Sequence, residues 1–308
     1  MGDEKFRFRG IRTYLFFIDC VMKKYMLLTL ILVLLFIIPL RYKNNESKPA
    51  AKEECAFFIT LAGENEQIQL EKYLMGVLAG EMPASFHIEA LKAQAVAART
   101  YAIHQTNYGA TPIQQTTAHQ VYKEDINPKY EEKLKEAVSA TKHQILTYNN
   151  QPITAMFHAA SNGQTESAQN FSGAQIAYLT TVSTPEEYME TQTFTLADFN
   201  EQLNTTYTLA QIAEATITRN DTNRVEGITI GQQTWTGREF RELLRLKSTD
   251  FTLNVNNEIK IRTKGYGHGV GMSQYGANEL ATNGQNAQQI LAHYYPDTTL
   301  TTLTCSKD

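Results

Sequence analysis

The amino-acid sequence predicts an α+β protein, in which mixed helices and short β-hairpins form one extracytoplasmic domain with a peripheral insertion, after one N-terminal transmembrane helix. Three observations support this fold class. An uncharged apolar run lies near the N-terminus, short β-rich segments are paired around turn residues, and helical patterns are grouped early and late in the remaining chain. The 308 residues are 42% apolar and 19% charged, as expected for a globular protein with a substantial core.

Residues 1–24 form the predicted cytoplasmic N-terminal segment, and the uncharged residues 25–40 form the predicted transmembrane helix. At a rise of ~1.5 Å per residue this run reaches about 24 Å, and flanking basic side chains extend it toward a hydrocarbon core of about 30 Å. Lys23 and Lys24 directly precede the run, which predicts that the N-terminus lies inside the cell and the following domain outside. A cleaved signal peptide is the alternative, although the run is long for one and no A-x-A site follows Pro39.

The charge of the chain is divided unevenly. Residues 1–24 carry six basic and three acidic side chains, and the net charge of the whole chain is −4, so the remainder carries −7. Binding of phosphate backbones needs clustered Lys and Arg, and the sequence therefore excludes nucleic acid as a partner. The polar residues 41–55 are predicted to be a linker between membrane and domain.

Two further expectations concern the ends of the chain. Met22-Lys23-Lys24 resembles a natural start of translation, so the residues before it would be a start-site artefact. Cys55 and Cys305 flank the first and last predicted strands, and a disulfide between them would close the domain if those strands are neighbours.

Residues 56–308 are predicted to form the extracytoplasmic domain. Pro83 ends its first helix, the second helix is rich in alanines that permit close packing, and paired asparagines mark the tight turns. In chain order, the predicted elements are a hairpin of 56–61 and 66–70, helices at 70–82, 88–105 and 129–142, strands at 143–148 and 152–159, a peripheral part at 184–250, a hairpin of 251–255 and 258–263, helices at 273–282 and 287–294, and a last strand at 299–304.

Glu81 is the candidate catalytic acid. It lies at the end of an apolar helix, directly before the sequence Met82-Pro83. Apolar neighbours and the helix C-terminus both disfavour its charged form and raise its pKa, which is the property of a general acid that works near neutral pH. An ordinary exposed carboxylate at a helix end is the simpler alternative from position alone.

Two later segments combine small residues with polar side chains. Residues 157–165 contain His158 and Ser161 in a loop that could bind a sugar or an oxyanion, or simply turn the chain. Residues 264–276 are glycine-rich, which permits close approach to a ligand, and Gly271 is expected at a helix start. Neither segment matches a nucleotide-binding P-loop, and no G-x-S-x-G or H-E-x-x-H motif occurs in the chain.

Three segments together closely resemble the stage II sporulation protein D family. They are 70–84, LEKYLMGVLAGEMPA, 89–102, EALKAQAVAARTYA, and 267–277, GHGVGMSQYGA. The resemblance, which covers about 57–303, implies a lytic transglycosylase that cleaves the MurNAc-β-1,4-GlcNAc bond of peptidoglycan strands stripped of stem peptides, leaving 1,6-anhydro-MurNAc ends during forespore engulfment. It implies catalysis by Glu81, with a substrate-binding groove formed by Gln94, Arg99, Tyr101, His158, Ser161, His268, Ser273 and Gln274.

The chemistry of the residues fits this resemblance. Glycosidases normally use two carboxylates, and neither polar loop contains a second acid. A lytic transglycosylase needs only one acid, because the C6 hydroxyl of the substrate itself attacks C1. A non-catalytic module that binds glycan and activates a cell-wall amidase is the alternative function, and a septal scaffold is a third.

The resemblance also implies partners, location and metal content. The expected partners are glycan strands, a membrane-anchored amidase and other engulfment proteins, with the chain in the mother-cell membrane facing the forespore septum. No cofactor is expected. Some relatives hold zinc with Cys and His, but the matching positions here are Gln114, Ala118 and His119, so no metal is predicted.

Overall fold

The computed structural model of the chain describes Met22, Lys24 and Met26, all helical, and residues 56–116 and 119–304. In this described part no helix is both long and apolar enough to cross a membrane. The predicted transmembrane helix, apart from Met26, lies outside the described residues, as do the linker, Cys55 and Cys305. The predicted extracytoplasmic domain corresponds to the compact unit Ala56–Asp308, which is called the domain from here on.

The domain is a mixture of helices and short sheets, which confirms the predicted α+β class. Most predicted helices and hairpins are present, with ends within two residues of their predicted positions. Its helices are α1 (Leu70–Glu81), α2 (Ile88–Gln105), α3 (Pro128–Ala140), α4 (Ala168–Ser172), α5 (Leu196–Leu203), α6 (Leu209–Ala213), α7 (Gly237–Leu243), α8 (Gln274–Thr282) and α9 (Ala287–Tyr294). Its strands are β1 (Phe58–Thr60), β2 (Gln67–Gln69), β3 (Gln144–Tyr148), β4 (Gln151–Pro152), β5 (Phe157–His158), β6 (Asn162–Gln164), β7 (Ser183–Glu187), β8 (Met189–Phe194), β9 (Thr216–Arg219), β10 (Val225–Ile230), β11 (Gln233–Thr236), β12 (Asp250–Val255), β13 (Ile259–Lys264), β14 (Met272–Ser273) and β15 (Thr299–Thr302).

Helix α2 lies at the centre of the domain, between two apolar clusters. Its Ala95, Ala98 and Ala102 join the cluster formed with α1 and α3. Its Ala90, Ala93 and Ala97 join the second cluster, which includes residues of α8 and α9. Because alanine adds only a methyl group, neighbouring elements approach α2 closely on both sides, and the two faces of one helix hold the domain together.

The predicted strand 152–159 is divided into two strands, which corrects the sequence analysis. Pro152 ends β4, and between the strands the N–H groups of Ala155 and Met156 donate to carbonyls only two residues earlier. β4 pairs with β3 around Asn149 and Asn150, both of which have positive φ, whereas β5 pairs in parallel with β14. The chain therefore turns out of one sheet and into another, toward the glycine-rich loop.

A third apolar cluster belongs to the peripheral part of the domain, which in the structure also includes the hairpin β12–β13. Its buried members run from Phe194 to Ile261, with Phe199, Phe240 and Phe251 at its centre. The hairpin β12–β13, predicted as a separate element, joins β8 in one three-stranded sheet. The chain enters this part at Tyr188 and leaves it at Gly265. These two residues are neighbours, because the N–H of Gly265 donates to the carbonyl of Tyr188 at 2.7 Å.

Candidate functional site

Glu81 is the last residue of α1 and is partly buried. The N–H of Val121 donates to its Oε1 at 2.5 Å. The loop that carries Val121 lies against α1 because Gly80 has no side chain: a Cβ there would be 2.5 Å from the Val121 carbonyl oxygen. Burial raises the pKa of Glu81, and the Val121 hydrogen bond opposes this in part. The direction of the predicted pKa shift is therefore present, with burial as its cause, and the hydrogen bond that opposes it comes from a loop 40 residues later in the chain.

Two tyrosines lie close enough to Glu81 to respond to its charge. Burial raises the pKa of both Tyr73 and Tyr101, and the nearby Glu81 carboxylate raises each further. The Tyr73 hydroxyl donates to Gln120 at 3.0 Å, whereas Tyr101 is half-buried and lies edge-on to His119, with ring centroids 6.4 Å apart. Tyr101 is therefore the predicted substrate-binding residue that shares the surroundings of Glu81.

His119 stabilises the loop beside this site. Its Nδ1 accepts a hydrogen bond from the N–H of Gln114 at 3.0 Å, and its Nε2 lies 3.2 Å from the Gln105 side-chain nitrogen. Both ring nitrogens thus have protein partners. Within 56–116 and 119–304, no group of three or more His, Cys, Asp or Glu could hold a metal ion.

The two polar loops meet at the parallel pair β5–β14, which places Ser273 opposite His158. His158 is buried, with its Nδ1 3.2 Å from the carbonyl oxygen of Val270 and its Nε2 2.6 Å from the Ser161 hydroxyl. The His268 ring lies beside it, with centroids 5.8 Å apart. Burial lowers the pKa of His158 well below its usual value and that of His268 to about 4, so both rings are neutral near pH 7.

Glycines allow these loops to approach each other. Gly265, Gly267, Gly269 and Gly271 all have positive φ. A Cβ on Gly271 would lie 2.0 Å from the carbonyl oxygen of Met156, directly before β5. The expectation that Gly271 begins a helix is wrong: α8 begins at Gln274 with Ser273 as its N-cap, because Gly271 is needed where two backbones touch.

A carboxylate that the sequence analysis missed joins the two loops. Glu186, from β7, accepts hydrogen bonds at Oε1 from the N–H of Ser161, at 2.9 Å, and from the Ser273 hydroxyl. Its Oε2 accepts a hydrogen bond from the Thr184 hydroxyl. No motif surrounds Glu186 in the sequence, since the loops that it joins lie 25 residues before it and 87 residues after it. The site therefore contains a second acid, which comes from outside the glycine-containing loops.

Two glutamines connect α2 to this cluster. Gln94 and Gln274 are buried, and the Gln274 amide donates to the Gln94 side-chain oxygen at 3.5 Å. The Gln94 Nε2 has no hydrogen-bond partner within the described residues. The structure thus brings six predicted groove residues into one cluster: Gln94, His158, Ser161, His268, Ser273 and Gln274. Their assignment to substrate binding stays a prediction.

Arg99 lies apart from this cluster. It is fully buried, and its Nε and Nη2 donate to the Glu71 carboxylate at 3.0 and 2.6 Å. Its remaining N–H groups face the carbonyl oxygens of Ala95, Val138 and Gln144. All donors of the guanidinium are occupied within the protein, so this geometry gives Arg99 a structural position between α1, α2, α3 and β3.

An aromatic strip, formed by Phe86, Tyr275, Tyr188 and Tyr266, leads away from the turn that follows Glu81. Ring centroids are 4.9 Å apart for Phe86 and Tyr275, 6.4 Å for Tyr275 and Tyr188, and 5.9 Å for Tyr188 and Tyr266. Tyr266 and Tyr275 are 39% and 41% exposed. Phe86, Tyr188 and Tyr275 are not among the predicted site residues, because they become neighbours only in the fold.

The chain is similar to known sporulation proteins. A family model described as "Stage II sporulation protein" matches residues 62–148. The chain is 38% identical to stage II sporulation protein D of Bacillus subtilis (strain 168), over 83% of this chain and 81% of that protein. Its identity to the protein of the same name from Bacillus amyloliquefaciens is 39%, covering 75% and 73%. An amidase enhancer of Bacillus subtilis (strain 168) is 32% identical over 74% of this chain and 40% of its own length.

Proposed function

Because this chain belongs to the family of stage II sporulation protein D, we propose that it is a peptidoglycan lytic transglycosylase that acts in forespore engulfment. The proposed substrate is a glycan strand without stem peptides, and the bond cleaved is MurNAc-β-1,4-GlcNAc. The observation that carries the proposal is Glu81, a partly buried carboxylate whose pKa is raised by burial beside two tyrosines.

Glu81 acts first as an acid and then as a base. Its protonated carboxyl donates a proton to the glycosidic oxygen as the bond to C1 of MurNAc breaks. The resulting carboxylate accepts the proton of the MurNAc C6 hydroxyl, whose oxygen bonds to C1 and closes the 1,6-anhydro ring. Because attacking group and electrophile belong to one sugar, this step has a high effective concentration compared with attack by water.

The aromatic strip supports a glycan as substrate. Sugar rings present apolar faces that pack on aromatic rings, and Tyr266 and Tyr275 are both exposed enough for such contact. Phe86, at one end of the strip, follows Glu81 by five residues in the chain and packs on Tyr275.

Glu186 is a second carboxylate in addition to Glu81, and a pair of carboxylates is also what a hydrolase uses. Three donors, from Ser161, Ser273 and Thr184, already occupy its oxygens. A carboxylate with most of its acceptor capacity used in this way is suited to positioning loops rather than activating water. We therefore assign Glu186 to positioning and keep Glu81 as the single acid.

The location and partners belong to the same proposal. We place the chain in the mother-cell membrane, with the N-terminus inside and Ala56–Asp308 facing the forespore septum. A membrane-anchored amidase would act before it, because removal of stem peptides generates the proposed substrate.

Mass spectrometry of digestion products tests the proposed reaction. The full chain should release fragments with 1,6-anhydro-MurNAc ends from peptide-free glycan, whereas reducing ends would identify a hydrolase. Glu81→Gln should reduce the rate by at least about 10²-fold and leave the fold intact, since it removes the only proton donor proposed. Glu124→Gln, which changes an exposed carboxylate shortly after Val121, is the matched control and should retain the rate.

The similarity to the amidase enhancer favours a second candidate function, a non-catalytic module that binds glycan and activates an amidase. This function requires the groove but not the acid. Glycan binding and amidase stimulation that both survive Glu81→Gln, with no anhydro ends from the unmodified chain, would establish it and reject the transglycosylase.

A further inference from the structure

A cavity of about 390 Å³ lies between the glycine-rich loop and the peripheral part of the domain. Its wall contains three arginines, Arg224, Arg238 and Arg241, together with His268 and Phe171. None of these arginines belongs to the predicted groove. Three guanidinium groups around one cavity of this size suggest that it takes an anionic ligand.

The arginines are only partly paired with protein groups. Arg224 is 4% exposed; its Nη2 donates to the carbonyl oxygen of Gln164 at 3.1 Å, and its Nη1 has no partner within the described residues. The Nε of Arg241 donates to the carbonyl oxygen of Leu246 at 3.2 Å. Within 56–116 and 119–304, neither Arg238 nor Arg241 forms an ion pair with a carboxylate.

The acidic groups around the cavity offset this charge only in part: Glu166 and Asp250 oppose the lowering of the Arg224 pKa by burial, and Glu242 does the same for Arg241. Glu166 accepts hydrogen bonds from Ser167, Asn170, Asn220 and Thr222, and its nearest distance to Arg224 is 3.9 Å. Its hydrogen bonds come from neutral donors, while its negative charge remains beside Arg224 alone among the three arginines. Glu226, the other acid in the wall, is exposed and solvated.

The surroundings of the cavity respond to its positive charge. Burial is the main cause that lowers the pKa of His268 to about 4, and Arg241, Arg224 and Arg238 lower it further. Burial likewise lowers the pKa of Arg241, and Arg238 contributes. An anion between these groups would be stabilised more strongly than at an open surface, because water screens the charges less here.

The glycine-rich loop is shaped around one of these arginines. Gly269 has a φ of +84°, and a Cβ there would lie 2.5 Å from Nη2 of Arg224. The residue that the sequence analysis placed in a ligand-binding loop thus makes room for a guanidinium in the wall of the cavity. The glycine-rich loop therefore packs directly against the wall of the cavity.

We propose that this arginine cavity binds a carboxylate carried by the glycan strand, an inference that rests on the proposed function. Arginine is suited to carboxylates because its planar N–H groups match both oxygens. Two sources of a carboxylate exist on peptidoglycan. Hydrolysis of the bond between the lactyl group of MurNAc and the first stem residue frees a lactyl carboxylate on the sugar, whereas an intact stem keeps its carboxylates on the peptide.

Binding measurements in a Glu81→Gln background separate recognition from cleavage. The full chain is titrated with peptide-free strands, with the same strands after coupling of the lactyl carboxylates to methylamine, and with peptide-bearing strands. We expect affinity for peptide-free strands to fall about tenfold on methylamide coupling, the loss of one charge-assisted hydrogen bond. Peptide-bearing strands binding as tightly as free ones would assign the carboxylate to the stem peptide.

Arg241→Gln tests the site itself, and Arg262→Gln, an exposed arginine on β13, is the matched control for net charge. Arg241→Gln should bind peptide-free strands about tenfold more weakly than the parent does, and should bind methylamide strands with the same affinity as the parent. Arg262→Gln should have the affinity of the parent for both kinds of strand. Arg238→Gln, at an exposed position, repeats the test if Arg241→Gln fails to fold. Equal affinity of parent and cavity variants for peptide-free strands would overturn the cavity proposal, even if cleavage still requires Glu81. Carboxylate-dependent binding without Glu81-dependent cleavage would instead reject only the transglycosylase.

Discussion

At the scale of single residues, the charge state of Glu81 depends on contacts that are distant in the sequence. Its place at a helix end before Pro83 could be predicted from local pattern, because Pro cannot continue a helix. The hydrogen bond that Val121 donates to the carboxylate could not be predicted, since no local signal connects residues 40 apart. The same limitation hid Glu186, whose partners lie far away in the chain.

Glu81→Gln should stabilise the protein at neutral pH. Folding raises the pKa of Glu81, so the folded state binds the Glu81 proton more tightly than the unfolded chain does. The wild-type protein therefore loses stability as the pH rises from the pKa of Glu81 in the unfolded chain through its higher pKa in the folded state. Gln carries no charge and can still accept the Val121 N–H. Thermal unfolding should therefore give a higher Tm for the variant at pH 7 and equal values near pH 3. A lower Tm at pH 7 would contradict burial of the carboxylate.

Glu71→Gln should cost about 3–5 kcal/mol of the free energy of unfolding, because it leaves the buried Arg99 guanidinium without its counter-charge. Urea unfolding measures this loss. The control is Glu132→Gln, which breaks the exposed Glu132–Lys135 pair and should cost less than about 1 kcal/mol. Similar losses for both variants would mean that Arg99 is not held structurally.

At the scale of elements, the glycine-rich loop makes close approaches, as its alternating glycines predict, but no helix begins at Gly271. Its approach to a ligand stays a prediction. In the structure the approach is made to protein atoms: the backbone of Met156 at Gly271 and the guanidinium of Arg224 at Gly269. Which group approaches a glycine is decided by tertiary contacts, so sequence alone could not distinguish the two.

Gly271→Ala and Gly284→Ala separate backbone strain from steric overlap. Both glycines have positive φ, but a Cβ at Gly284 meets nothing within 4 Å, whereas at Gly271 it would lie 2.0 Å from a carbonyl oxygen. Gly284→Ala should cost about 1 kcal/mol, the strain of a left-handed alanine. Gly271→Ala should cost at least about 3 kcal/mol in urea unfolding. Equal costs would show that β5 and the loop can separate without penalty.

At the scale of the whole molecule, the order of helices and hairpins was largely predictable because each has its own local periodicity and turn residues. What sequence could not give is how distant segments combine. The hairpin β12–β13 becomes part of the peripheral sheet through β8, and β5 leaves its predicted strand to pair with β14. Both outcomes depend on pairings between segments far apart in the chain, for which one sequence carries no pattern.

Protease treatment of wall-free cells tests the proposed orientation of the molecule. If Ala56–Asp308 lies outside, trypsin added to intact protoplasts should remove it, because its basic residues are accessible from the medium. A cytosolic protein in the same cells should remain intact and serves as the control. Protection of Ala56–Asp308 until the cells are lysed would place the domain inside and reject the proposed location.

The hydrogen bond between Gly265 and Tyr188 has a consequence for how such a protein could change over evolutionary time. The peripheral part leaves and re-enters the domain at one point, so segments of different length could be exchanged between these two residues while the rest of the chain closes as before. The entropy of closing such a loop grows only slowly with its length. Because the arginine cavity draws Arg224, Arg238 and Arg241 from that exchangeable part, specificity could diverge between relatives while Glu81 and its surroundings are inherited unchanged.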